Sequence, residues 1–138
     1  MTETVPTKGQ LLAGRILSGL VIAFLLFDAG LKLVAPQFAI DNSPPNLGWP
    51  AEVGTMYLLA VLLLVPTLLH IWPRTSILGA ILITGYLGGA IATQVRVGNP
   101  LFSHMLFGVY LGVMMWGGLW LRDPRLRALI PLRTGASA

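Results

Sequence analysis

Asp28 and Lys32 are the two residues of this chain whose types and spacing point most directly to chemistry. They lie four positions apart in an otherwise apolar stretch, so in a helix they share one face and can form an ion pair. By helical rise, Asp28 lies about 12 Å below the end of that stretch at Pro36. Charges at such depth are costly in a membrane, which makes the pair a candidate for proton transfer or for binding.

Further polar side chains are expected at the same end of the molecule, namely Glu52, Tyr86, Thr93, Gln94, Arg96 and His104. Tyr86, Thr93 and Arg96 recur at helical spacing and therefore share one side of a helix. Asp28, Lys32 and His104 are the candidate catalytic residues, because a carboxylate, an amine and an imidazole can exchange protons. The other five are candidate substrate-binding residues, since they offer donors and acceptors around the same polar pocket.

Four apolar stretches must position these side chains, at residues 11–35, 51–71, 75–95 and 101–121. Each has the length of about 20 residues that crosses roughly 30 Å of hydrocarbon. The composition agrees, with 55% hydrophobic and 10% charged residues, against about 25% charged in a soluble domain. We therefore predict an all-α fold, a single integral membrane four-helix bundle, with residues 122–138 as a basic cytoplasmic tail.

The connections and glycines suggest how the helices pack. Short proline- and glycine-containing turns join the last three stretches, so neighbouring helices should be antiparallel. Gly85 with Gly89, and Gly108 with Gly112, have the small-xxx-small spacing at which helix backbones approach closely.

Basic residues predict the orientation. With four crossings both termini share one side of the membrane, and that side carries Lys8, Arg15, Arg74, Arg122, Arg125, Arg127 and Arg133. The opposite side carries only Lys32 and Arg96, so the positive-inside rule places both termini in the cytoplasm. The basic tail should contact the lipid bilayer rather than nucleic acid, since no aromatic side chains are interleaved for base stacking.

Several kinds of site can be compared. The chain has no cysteine, which excludes disulfides and thiolate metal sites. We predict no metal site, because Asp28, Glu52 and His104 would all have to converge. His70 is expected at the interface beside Trp72, near the face opposite His104, so the two histidines cannot share a haem. The cofactor stays open, with a quinone favoured over a haem, because quinone oxygens accept hydrogen bonds and quinone reduction takes up protons.

Short motifs extend over almost the whole chain from Gly14 onward, at residues 14–19, 26–33, 47–50, 73–75, 78–82, 84–90, 96–100 and 116–125. Taken together they resemble the DoxX-like family of small membrane proteins. The resemblance implies a four-helix bundle in the cytoplasmic (inner) membrane of a bacterium or an archaeon. The family takes its name from a subunit associated with quinol oxidation and thiosulfate:quinone oxidoreduction, which favours a quinone ligand.

Three functions remain open at this point, and with them whether the chain is an enzyme. The first is a quinone-linked subunit of a membrane redox complex, in which Asp28 and Lys32 relay protons while His104 and Arg96 hold the ring oxygens. It would need a redox partner subunit, and self-association into a homo-oligomer is also expected. The second is a stand-alone enzyme that uses Asp28 and His104 for acid–base chemistry, such as isomerisation, on an apolar small molecule. The third is a binding or structural protein in which Asp28 and Lys32 only lock a helix.

Overall fold

The computed structural model describes residues 5–134, and over that range it is helical with no strand. The helices are α1 Lys8–Val34, α2 Pro36–Asp41, α3 Val53–Ile71, α4 Ser76–Arg96, α5 Phe107–Arg122 and α6 Pro124–Leu129. A π-helical turn, Leu101–Met105, precedes α5. Four segments are long and apolar enough to cross a membrane: Lys8–Val34, Val53–Ile71, Ser76–Arg96 and Leu101–Arg122. The predicted all-α fold with four such helices is confirmed.

The ends of α1 follow from its local sequence. Thr7 accepts a hydrogen bond from the backbone of Gln10, and the Gln10 side chain accepts one from the backbone of Thr7. This capping box satisfies two backbone donors that a helix start otherwise leaves unpaired, so α1 begins several residues before the apolar stretch does. It ends at Val34 because Pro36 cannot continue the backbone ladder, and that proline instead begins α2.

The four long helices form a ring in which each packs on two neighbours. α1 contacts α3 and α5, and α4 contacts the same two helices, so α1 and α4 lie on one diagonal. Neighbours run antiparallel. We call the end formed by the start of α1, the α3–α4 turn and the end of α5 the basic end. The other end, with residues 35–52 and 97–106, is the loop end.

Glycines bring the helices together, though not all at the predicted positions. A Cβ on Gly118 would lie 3.0 Å from the carbonyl oxygen of Gly14, so α1 and α5 cross in backbone contact. A Cβ on Gly79 would lie 2.3 Å from the backbone nitrogen of His70, which marks the same kind of crossing between α4 and α3. The expectation for Gly85 and Gly89 is wrong, because nothing lies within 4 Å of a Cβ built on either.

A narrow apolar core fills the ring, and the rest of each span faces outward. The buried residues include Val21, Leu25, Ala60, Leu63, Ile83, Leu87, Leu111 and Met115. Between 22% and 33% of the most apolar window of each span lies inside the bundle. The outward residues are mostly aliphatic or aromatic, as lipid requires of a surface without water.

Part of the predicted basic tail folds back on the bundle. Asp123 caps the start of α6 by accepting from the backbone nitrogen of Arg125 at 2.9 Å, and Leu126 of α6 is buried. Arg127 donates to the carbonyl oxygen of Trp120 at 2.7 Å and lies 5.3 Å from the centre of its ring. Residues 135–138 of that tail lie outside the described residues.

Candidate functional site

Asp28 and Lys32 form the ion pair that their spacing predicts. Lys32 Nζ lies 2.5 Å from Asp28 Oδ2, and the two side chains are 16% and 33% exposed respectively. Both stand on α1 toward the loop end, beside the fully buried Ala29. The pair is therefore partly withdrawn from the surroundings, where a charge is costly without its partner.

Tyr86 is the predicted binding residue whose electrostatic surroundings include Asp28. It stands midway along α4, on the far side of the ring from α1, and packs against the buried core. The charge of the Asp28 carboxylate acts on the Tyr86 hydroxyl across the bundle.

Tyr86 also borders an apolar groove between α3 and α4. The groove has a volume of about 530 Å³ and is lined by Val61, Leu62, Val65, Pro66, Leu82 and Tyr86. Tyr86 carries the only hydroxyl among these six residues. The groove is thus lined by five aliphatic residues and by the Tyr86 side chain.

Arg96 ties the end of α4 to the long connection between α2 and α3. Its Nη2 donates to the carbonyl oxygen of Leu47 at 3.4 Å, across 49 residues of sequence. The guanidinium lies directly on Gly48, where a Cβ would come within 1.3 Å of Nη2 and where the backbone φ is +90°. Gly48 is therefore required both by its backbone conformation and by the approach of Arg96.

Thr93 and Gln94 bond within their own neighbourhood. The Thr93 hydroxyl donates to the carbonyl oxygen of Gly89 at 2.8 Å, one turn back along α4. Gln94 Oε1 accepts from the side-chain amide of Asn99 in the turn after α4. These two side chains shape the end of α4.

His104 and Glu52 lie at the loop end on exposed positions. His104 belongs to the π-helical turn, and its Nδ1 lies 2.7 Å from the Ser103 hydroxyl oxygen. Glu52 is the residue before α3 and makes no side-chain capping bond to that helix. In the described part of the chain, no hydrogen bond or ion pair joins either residue to Asp28 or Lys32.

His70 is the residue that sequence reasoning missed. His70 lies in the last turn of α3, next to Trp72 as predicted, but its ring is enclosed within the bundle and is only 2% exposed. Gly79 lets α4 cross directly over this part of α3 and so encloses the ring. Its Nδ1 lies 2.9 Å from the carbonyl oxygen of Ser76. Its Nε2 is buried without a hydrogen-bond partner among residues 5–134.

Arg122 lies at the same basic end and connects the first and last spans. Its Nε donates to the carbonyl oxygen of Gly118 at 3.1 Å, and its Nη2 donates to the Ser18 hydroxyl at 2.8 Å. The stem of Arg122 packs on Gly14, where a Cβ would lie 2.6 Å from Arg122 Cγ. No single motif signals this contact, because its partners are 104 residues apart in sequence.

A cleft of about 930 Å³ with both polar and apolar walls opens at the basic end beside these two residues. Its lining includes Ser18, His70, Arg74, Ser76, Arg122, Asp123 and Arg125. Burial acts to raise the pKa of Asp123, but hydrogen bonds and the charge of Arg125 outweigh it and hold the pKa below its usual value. Asp123 is thus kept as a carboxylate within a lining that is positive overall.

Within residues 5–134, the histidines and carboxylates do not assemble into a metal site. Among the described residues, no group of three or more histidine, cysteine, aspartate or glutamate side chains is placed to hold an ion. His70 belongs to the basic end and His104 to the loop end, so no single haem can bind both.

A bundle of four apolar helices, with its charges at the helix ends and in the α1 pair, defines a multi-pass membrane protein. Comparison with known families is specific: a model described as the DoxX-like family matches residues 16–118. The chain belongs to the DoxX-like family. No curated protein and no solved structure matches it.

Proposed function

We propose that this protein is a quinone-linked subunit of a membrane redox complex, with the quinone head beside Tyr86 and its apolar tail in the α3–α4 groove. The observation that carries the proposal is that Tyr86 belongs both to the apolar groove and to the electrostatic surroundings of Asp28. Membership of the DoxX-like family supports it.

The chemistry of the site fits such a ligand. A quinone has carbonyl oxygens that accept hydrogen bonds, and the Tyr86 hydroxyl is a donor. Converting a quinone to a quinol consumes electrons and protons in equal number. The Lys32 ammonium can give a proton and the Asp28 carboxylate can take one, so the ion pair supplies a proton route at partly buried positions. Electrons would come from a redox partner subunit.

Extraction of the bound ligand tests the proposal. The protein, purified in mild detergent from its native membrane, is extracted with organic solvent and analysed by mass spectrometry. We expect a quinone in the extract, reduced about five- to tenfold in Tyr86→Phe, which loses only the hydroxyl donor. Tyr110→Phe is the matched control, since the Tyr110 hydroxyl bonds to the carbonyl oxygen of Phe102 near the loop end. Equal retention by the two variants, or no quinone at all, contradicts the proposal.

A structural role is the second candidate, and one observation favours it. Asp28 and Lys32 are each other's partner on a single helix at 2.5 Å, so their charges are balanced without any ligand. In that case Asp28→Asn lowers thermal stability and leaves quinone retention unchanged. Acid–base catalysis by Asp28 with His104 stays a prediction, and His104 is engaged with Ser103.

The redox partner, self-association and residence in the inner membrane belong to the same proposal. Native mass spectrometry of complexes released in mild detergent reports both a second subunit and additional copies of this chain. A redox partner should carry the electron-transfer group.

A further inference from the structure

The cleft at the basic end is a second polar site, separate from the α1 ion pair. Three arginines and one aspartate are among its lining residues. Asp123 is already engaged, because it accepts from the backbone of Arg125 at 2.9 Å and from its Nε at 3.3 Å. The charge that remains in the cleft is therefore positive and suits an anion.

Arg122 is the best-positioned cation of this cleft. Its bonds to Gly118 and Ser18 hold the guanidinium in place through Nε and Nη2. A guanidinium has further N–H donors, and they are arranged as a planar fork that matches an oxyanion. An arginine that is already immobilised loses less side-chain entropy when it binds a ligand.

His70 adds a second requirement to the ligand. A carbonyl oxygen can only accept, so the 2.9 Å contact with Ser76 means that Nδ1 carries the hydrogen in that bond. Nε2 of the neutral ring is then an acceptor, and it is buried with no donor among residues 5–134. A buried acceptor without a partner costs about 1–3 kcal/mol. Nε2 has almost no accessible surface, so a ligand in the cleft brings a donor to it only when a neighbouring side chain shifts.

We propose that the basic-end cleft binds a phosphate-type oxyanion that also carries an O–H group. Arg122 pairs with the negative oxygens, and His70 Nε2 accepts the hydrogen of the O–H. Arg74 lines the same cleft and adds positive charge at its exposed side.

Two sources offer this chemistry, a phospholipid head group with a free hydroxyl and free phosphate. The cleft lies at the ends of the spans, level with Trp72 and Trp120, which are 65% and 36% exposed. Tryptophans at such positions typically mark the head-group layer of a membrane. A lipid head group would therefore reach the cleft from the same layer.

Imidazole nitrogen NMR reads the site directly, because the chain has 2 histidines. The full chain is purified in a maltoside detergent without phosphate and freed of lipid. The probes are inorganic phosphate, nanodiscs containing phosphatidylglycerol, and nanodiscs of phosphatidylcholine alone. We expect the Nε2 resonance of His70 to shift with a binding probe while His104 stays unchanged. A shift with phosphatidylglycerol only identifies a head group, and a shift with phosphate in detergent identifies the free ion.

Variants separate this site from general attraction between charges. Arg122→Gln should weaken the apparent affinity, measured by ligand-dependent thermal stability, about tenfold or more. His70→Phe should weaken it about fivefold. The matched controls Arg133→Gln and His104→Phe should bind as the parent does. If Arg122→Gln does not fold, Arg122→Lys keeps the charge and loses the fork, and it too should bind more weakly.

Two results overturn the inference. One is a His70 resonance that none of the three probes moves in the unaltered protein. The other is an equal loss of affinity in Arg133→Gln and Arg122→Gln, which would mean that charge alone attracts the anion.

Discussion

At the scale of single residues, the ion pair between Asp28 and Lys32 is balanced only while both members are present. Lys32→Met leaves a partly buried carboxylate without its cation, and we expect the free energy of unfolding to fall by about 1–2 kcal/mol. Combining Lys32→Met with Asp28→Asn removes the uncompensated charge and should recover part of the loss. Denaturant titration of the four proteins, parent, two single variants and the double variant, gives the coupling directly.

The result bears on the choice between functions. If the loss of unfolding free energy in the double variant equals the sum of the two single losses, the pairing is contradicted. The effects of substituting two interacting residues are not additive. Strong coupling with unchanged quinone retention supports the structural role. Strong coupling with lost retention supports the redox subunit.

At the scale of helices, close crossings depend on which glycines lie at the contacts. Gly79→Ala puts a methyl group 2.3 Å from the His70 backbone, so α4 must move away from α3, and we expect a cost of about 1–3 kcal/mol. Gly85→Ala on the same helix meets open space and should change stability by less than about 0.5 kcal/mol. Thermal unfolding in detergent compares the two variants. Equal losses would contradict the close α3–α4 crossing at Gly79, because alanine is otherwise the better helix former at both positions.

At the scale of the whole molecule, the charge distribution predicts an orientation that labelling can check. The absence of native cysteine means that single introduced thiols report their own position. With both termini cytoplasmic, Asn46→Cys at the loop end should react in intact cells with a maleimide that cannot cross membranes. Arg133→Cys near the C-terminus should react only after permeabilisation. The reverse labelling pattern would place both termini outside the cytoplasm and would contradict the orientation that the positive-inside rule predicts.

How much of the fold and of the site could be predicted depends on how far apart in the sequence the contacting residues are. The α1 ion pair and the four spans follow from local patterns, four-residue spacing in one case and unbroken apolar length in the other. The anchoring of Arg96 to Leu47 and of Arg122 to Ser18 joins residues 49 and 104 positions apart, so no local pattern contains them.

The burial of His70 also could not be predicted from its local sequence. A histidine near the end of an apolar stretch suits an interface as well as an interior. The outcome was decided by Gly79 of the next helix, which has no side chain to keep the two backbones apart. The small-residue spacing pointed instead to Gly85 and Gly89, because spacing alone does not say which face of a helix meets a neighbour.

The ring order of the helices has a consequence for how the protein is made. α1 packs on α3 and α5, so one of its two contact faces is completed by a span that leaves the ribosome after α3 and α4. The Ser18 hydroxyl receives its arginine donor only after another 104 residues have been translated. Until then the face of α1 that packs on α5 has no helix against it. A chain interrupted after α4 cannot close the ring. Closure of the ring therefore depends on the translation of α5.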